Sequence, residues 1–183
     1  MSNVEAMPSR SSEAEYLAFE LAATDRHELI EGVIVAMAGA SKRHNVVAGN
    51  LFTILRSVAA PQGCATYLEG VRLKISEDTH VYPDVMVVCE DNGDDYEVTS
   101  PCLVAEVLSP STAWVDHGRK RIAYLQMSSL LDYLLLNTVE NVIERYHRTS
   151  NESPFTYAIY HSGETINLNC PPGSVTVDSI FAT

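Results

Sequence analysis

Apolar residues recur along this 183-residue chain in two rhythms, one helical and one alternating, and their succession predicts a mixed α/β fold. Residues 11–23, SSEAEYLAFELAA, join a serine and first-turn acids to helical apolar spacing, which predicts a short helix. HELIEGVIVAM at 27–37 predicts two short strands joined at Glu31-Gly32, because an acidic-Gly pair suits a tight hairpin. Ser41 then caps a predicted helix through SKRHNVVAGNLFTILRSVAA, ended by Pro61 and Gly63. Its apolar positions, Val46, Val47, Leu51, Ile54, Leu55 and Val58, are expected to face the core.

From Cys64 to Cys89 the pattern turns to strands: ATYLEGVRLKI alternates, and VYPDVMVVCE is an apolar run broken by one aspartate. The acid-rich segment EDNGDDYE predicts a loop, followed by Pro101 and a third run, CLVAEVL. SPST predicts a turn into a helix over 113–127, and further strands are expected at 132–137, 141–147 and 155–160. The tail is expected to end in a short strand and an edge turn. With no internal repeat and no Gly/Ser linker, residues 1–183 read as one domain, the first 12 expected to be flexible. The architecture this implies is a mixed sheet flanked by helices.

Composition narrows the picture. An apolar share of 46% suits a packed core without staples, and no apolar run approaches the roughly 20 residues of a membrane helix. The polar, acidic start lacks a basic stretch followed by an apolar one, so a cytoplasmic location is expected. Cys64, Cys89, Cys102 and Cys170 form no close pair and have no histidine at zinc-finger spacing; all four are expected to be reduced and structural. A net charge of −12 opposes tight non-specific DNA binding, since that affinity comes from cations neutralising phosphates. The bases fall in small groups (Lys42 and Arg43, Arg72 and Lys74, Arg119 to Arg121, Arg145 and Arg148), which leaves a local basic surface open.

Two carboxylates interrupt otherwise apolar strands: Asp84 in VYPDVMVV and Glu106 in LVAEVL. Alternation puts Asp84 on one strand face with Met86 and Val88. An unpaired buried carboxylate costs several kcal/mol or more, so such groups pair with a cation, bind a metal or sit at a strand end facing water. On adjacent strands the two would make a hard oxygen site suited to Mg²⁺ or Mn²⁺. The alternative is that each ends its strand and pairs with an arginine. Lys120, on the helix after SPST, would orient a metal-bound water or offset phosphoryl charge; otherwise it pairs with Asp116 at i,i+4 spacing.

ELIEG, His44 near a helix start, GVRL, YPDV, VAEVLSPST, DHGRK and Tyr124 occur in an order that resembles the Uma-two family, from about residue 15 to the C-terminus. That family falls within the PD-(D/E)xK, restriction-endonuclease-like superfamily. The resemblance implies a mixed β-sheet core, Mg²⁺-dependent nuclease chemistry on DNA, and a homodimer. It assigns the metal-binding acids to Asp84 and Glu106, with the backbone carbonyl of Val107 as a further ligand. Leu108 stands where the superfamily motif has lysine, and Lys120 on the following helix takes that place; Glu28 of ELIEG completes the site. His44, Arg119 and Ser111 are expected phosphate contacts, His44 being otherwise a helix-start cap. A non-catalytic binding module on the same fold, or a nuclease acting on RNA or another phosphodiester, are the competing readings.

Overall fold

The computed structural model describes residues 10–37, 39–90, 93–108 and 116–183. Helix α1 (Glu13–Ala22) opens on a reciprocal cap: the Ser12 hydroxyl accepts from the Glu15 N–H, and the Glu15 carboxylate accepts from the Ser12 N–H. Strands β1 (His27–Ile30) and β2 (Val33–Ala36) then pair antiparallel around Glu31 and Gly32. Both turn residues have positive φ, 51° and 80°, the twist a two-residue hairpin requires. Helix α2 (Lys42–Ala59) starts at Ser41, whose hydroxyl accepts from the His44 N–H. Its buried stripe is Val47, Ala48, Leu51, Leu55 and Ala59. Val46, expected in the core, is 42% exposed, because at 100° per residue it points away from a stripe centred between Val47 and Leu55. Ile54 and Val58 are half-buried at the stripe's margins.

The strands that follow are β3 (Ala65–Leu68), β4 (Arg72–Ser76), β5 (Thr79–Val81), β6 (Val85–Val88), β7 (Glu97–Val98) and β8 (Leu103–Leu108). After α3 (Asp116–Gln126) come β9 (Asp132–Asn137), β10 (Val142–His147), β11 (Thr156–Tyr160), β12 (Thr165–Asn169), β13 (Pro172–Thr176) and α4 (Val177–Phe181). Residues 113–115 of the expected helix, and the SPST turn before it, lie outside the described residues. The six-stranded sheet has the order β11-β10-β9-β8-β6-β3, with β8 and β9 parallel and the other neighbours antiparallel. A second sheet, β2-β1-β5-β4-β7, and the β12-β13 hairpin complete the strands. The alternating segment ATYLEGVRLKI breaks at Glu69-Gly70, and its halves, β3 and β4, join different sheets. The tail, expected to end in a strand and a turn, ends instead in α4, capped by the Thr176 hydroxyl.

The six-stranded sheet separates two cores. Val85, Val87, Leu103, Ala105, Leu134 and Leu136 face α2, α4 and the β12-β13 hairpin. Met86, Val88, Val104, Tyr133 and Leu135 face Tyr124 of α3 and Leu73 and Val81 of the smaller sheet. Alternation along the strands gives this division directly, and it puts Asp84 and Glu106 in phase with the second face.

Two groups read as surface bases are interior. Arg145 donates from Nε to Asp132 Oδ1 at 2.7 Å, and both residues are buried. Arg148 donates to the carbonyls of Met127, Ser128, Leu130 and Asn151, closing the chain around the start of β9. The cysteines also differ from expectation. Cys64 is bonded to Cys89 and Cys102 to Cys170, so the four are disulfides rather than free thiols. Strand register explains the first pair: Ala65 faces Val88, which sets Cys64 opposite Cys89.

Asp132 also accepts from the Asn169 and Cys170 N–H groups, at 2.7 and 3.0 Å. Removing it strands a buried guanidinium and two N–H donors. Asp132→Ala is therefore expected to lower stability by about 3–5 kcal/mol, read as the shift in the urea unfolding midpoint. A loss below about 1 kcal/mol would mean that water replaces the carboxylate.

Candidate metal centre

Strand register builds the site. Leu68 faces Val85 across β3-β6, and Val85 faces Ala105 across β6-β8. One residue further along, Glu69, Asp84 and Glu106 fall in a row across three neighbouring strands, β3, β6 and β8. The Glu69 N–H, donating to the Asp84 carbonyl at 3.0 Å, holds that row together. Glu69 turns at φ 44°, followed by Gly70 at 72°, so β3 ends here and its carboxylate sits at the rim.

Asp84 is oriented from two sides. The Val107 N–H donates to Oδ2 at 2.6 Å, and His44 Nε2 lies 3.1 Å from Oδ1. His44 stands one turn before Val47 and Ala48 on the buried stripe of α2, which is why its ring points inward although its N–H serves the cap. Ligand atoms of His44, Glu69 and Asp84 all lie within 4.8 Å of one another. The hydrogen bond to Asp84 raises the His44 pKa; burial opposes it, and the charges of Asp84, Glu69 and Glu106 add to the rise.

Glu106 belongs to a deeper network. The Tyr124 hydroxyl donates to its Oε1 at 2.7 Å, and Lys120 Nζ stands 3.7 Å from the same oxygen. Lys120 donates more closely, at 2.6 Å, to Glu28 Oε1, which also accepts the Tyr82 N–H at 3.0 Å. Lys120 and Tyr124 are four residues apart on α3 and so share the helix face turned to the sheet. Burial pushes the Glu106 carboxyl up toward neutrality; Lys120 pulls it down, and Asp84 and Glu28 push it further up. Burial alone would lower the Lys120 ammonium, but Glu106 and Glu28 outweigh it and keep the lysine protonated.

A cavity of about 660 Å³ opens over these groups, lined among others by Glu28, His44, Glu69, Asp84, Glu106 and Lys120. Four of these are carboxylates and one is an imidazole, with the buried His44 Nδ1 lacking a partner among the described residues. This donor set fits a hard divalent cation, with the imidazole better suited to Mn²⁺ than to Mg²⁺. What Val107 offers Asp84 in the structure is its N–H. Arg119 is not at the cavity: it lies exposed, 3.7 Å from Glu31 on another side of α3. Ser111 lies outside the described residues. Glu69 was not among the sequence candidates; its place before a glycine, ending an alternating strand, was the available signal.

Comparison with known proteins bears on the family and the fold. Residues 13–178 match the model of the Uma2 family, described as "Putative restriction endonuclease". The "Uncharacterized protein slr1290" of Synechocystis sp. (strain ATCC 27184 / PCC 6803 / Kazusa) is 32% identical over 173 residues, covering 93% of this chain and 90% of that protein. From the same organism, the "Uncharacterized protein sll1609" is 36% identical over 143 residues, 75% of this chain and 81% of that protein. A crystal structure of a "putative nuclease belonging to DUF820" from Anabaena variabilis ATCC 29413 superposes with a TM-score of 0.77 at 17% identity, over 93% of this chain and 97% of the other. The expected restriction-endonuclease-like fold therefore holds.

A carboxyl that binds a cation must first lose its proton, so the raised Glu106 pKa makes cation binding compete with protons. Mn²⁺ affinity measured by calorimetry is expected to rise with pH through the neutral range and to fall about tenfold per unit below the Glu106 pKa. Glu106→Gln should weaken that dependence to the part that loss of the His44 proton contributes. An affinity independent of pH in the wild type would remove Glu106 from the ligand set.

Proposed function

The chain belongs to the Uma2 family, and from that premise we propose that it is a metal-dependent endonuclease hydrolysing DNA phosphodiester bonds. The observation that carries this reading is the opposition of Asp84 and Glu106 across β6-β8, with Lys120 Nζ 3.7 Å from Glu106 at the wall of the cavity. Asp84 and Glu106, with the Val107 carbonyl, would hold Mg²⁺ or Mn²⁺, and Glu69 and His44 stand close enough to Asp84 to share in holding it. Such a cation supplies a polarised phosphate and a water of lowered pKa.

The protein's own groups have distinct tasks. The Val107 N–H fixes the rotamer of Asp84, leaving Oδ1 toward His44. Tyr124 and Lys120 hold Glu106 by one oxygen. Glu28 tethers Lys120, whose retained positive charge offsets negative charge developing on the phosphoryl oxygens. His44, hydrogen-bonded to Asp84 at the wall of the cavity, is held where its Nε2 can join the ligands of the cation.

Substrate grip has to come from few cations. Arg72 pairs with Glu97, Lys74 with Glu13 and Arg119 with Glu31, while Arg145 and Arg148 are interior. Arg26 lines the cavity and has no carboxylate partner among the described residues. A homodimer that pools such cations fits this scarcity.

Nicking of supercoiled plasmid with Mg²⁺ or Mn²⁺ tests the reading. Wild type is expected to nick, Asp84→Ala to lose activity, and Lys120→Ala to lose roughly 10²–10³-fold in rate. Equal nicking by wild type and Asp84→Ala would sink the assignment, and cleavage of RNA alone would redirect it. The log–log slope of activity against salt should be shallow, at about −0.9 for each phosphate neutralised. A slope near −6 or steeper would require a basic surface that the described residues lack.

A further inference from the structure

Cys64, Cys89, Cys102 and Cys170 are the chain's four cysteines, separated by 25, 13 and 68 residues; the fold gathers the last three at one point and bonds Cys64 to Cys89 beside them. Cys64 and Cys89 flank the paired ends of β3 and β6. Cys102 precedes β8, the strand on the other side of β6, and its N–H donates to the Val87 carbonyl at 2.9 Å. Cys170 joins them from the link between β12 and β13, anchored by its N–H to Asp132. The two disulfides are in contact. Cys89 Sγ lies 3.7 Å from Cys102 Sγ and 3.7 Å from Cys170 Sγ, and these three sulfurs are mutually within 4.8 Å.

Two disulfides can staple a fold without touching. A tetrahedral cation, by contrast, needs all four sulfurs around a single centre. Zinc binds thiolate at about 2.3 Å, which separates the sulfurs at the corners of a tetrahedron by about 3.8 Å. The contacts from Cys89 to the other pair already have that length. Cys64, Cys102 and Cys170 are buried while Cys89 is exposed, so the cluster is sheltered yet reachable from solvent at one corner.

We propose that these four cysteines form a second metal site, a structural tetrathiolate centre for Zn²⁺, and that the paired disulfides are its metal-free, oxidised form. The interconversion balances with a dithiol reductant. Two equivalents deliver four electrons and four protons, break both S–S bonds and leave four thiols, while each dithiol closes to its own disulfide. One Zn²⁺ then replaces the four thiol protons and bonds to the four sulfurs. The centre would clamp the ends of β3, β6 and β8 to the β12-β13 hairpin. It lies five residues along β6 from Asp84, about 17 Å away at the usual strand rise, and is independent of the nuclease reading.

The full-length chain, purified with a dithiol reductant, tests this directly. Native mass spectrometry is expected to show one zinc per chain with four protons lost. Cobalt added to the reduced, metal-free protein should give the thiolate charge-transfer and tetrahedral d–d absorption bands at one equivalent. Those bands should persist in Asp84→Ala and disappear in Cys89→Ser and Cys170→Ser. Four titratable thiols without zinc or cobalt uptake in the reduced wild type would overturn the proposal. So would disulfides that resist the reductant until the protein unfolds, or cobalt bands unchanged in both cysteine variants.

Discussion

The register of β6 between β3 and β8 is the constraint on which the rest of this structure depends. With Leu68 facing Val85 and Val85 facing Ala105, every residue of β6 is committed to one neighbour on each side. At one end that commitment lines up Glu69, Asp84 and Glu106. At the other it sets Cys89 against Cys64 and beside Cys102. A slip of one residue would turn Met86 and Val88 toward α2 and send Val85 and Val87 to the wrong core, so two apolar faces enforce the register. The polar ends inherit their geometry from that packing.

Electrostatics explains why the carboxylate end tolerates its burial. Glu28 and Glu106 are each about 5% exposed, and a carboxylate buried to that degree needs a partner. Lys120 answers both, but one ammonium cannot neutralise two carboxylates with Asp84 close by. Burial, with Asp84 and Glu28 adding to it, raises the Glu106 pKa against the pull of Lys120, and the acids lining the cavity outnumber its cations. A divalent cation is the simplest group that would correct the deficit, whereas a structural ion pair of the Arg145–Asp132 kind leaves none.

Local signals in the sequence carried most of the elements. Ser12 and Ser41 with their periodic apolar stripes marked the first two helices, and β9 begins and ends where its apolar run does. Asp84, Glu106, Lys120 and Glu28 were legible because a charge inside an apolar strand, or a motif in a familiar order, is conspicuous. Glu69 was not, since a glutamate before glycine reads as a turn until β3 is placed beside β6. Arg145 and Arg148 looked like a surface pair, and nothing local announces that Asp132 and four carbonyls enclose them. The cysteines were hidden for the same reason. Spacings of 25, 13 and 68 carry no zinc signature, and proximity arises from sheet order and a hairpin at the far end of the chain.

The distribution of charge bears on how such a protein meets a polyanion. With a net charge of −12 and most arginines and lysines engaged internally, long-range attraction cannot gather nucleic acid to the surface. Recognition then has to be local. A phosphate entering the cavity would meet Lys120, placed by α3, Arg26, held against Tyr82 just ahead of β1, and the cation proposed for Asp84 and Glu106. Occupied by a divalent ion, the carboxylate cluster changes from a repulsive wall to an attractive one. On the proposed reading, metal loading would control both nucleic-acid affinity and chemistry, and the acidic surface would keep the metal-free protein off nucleic acid.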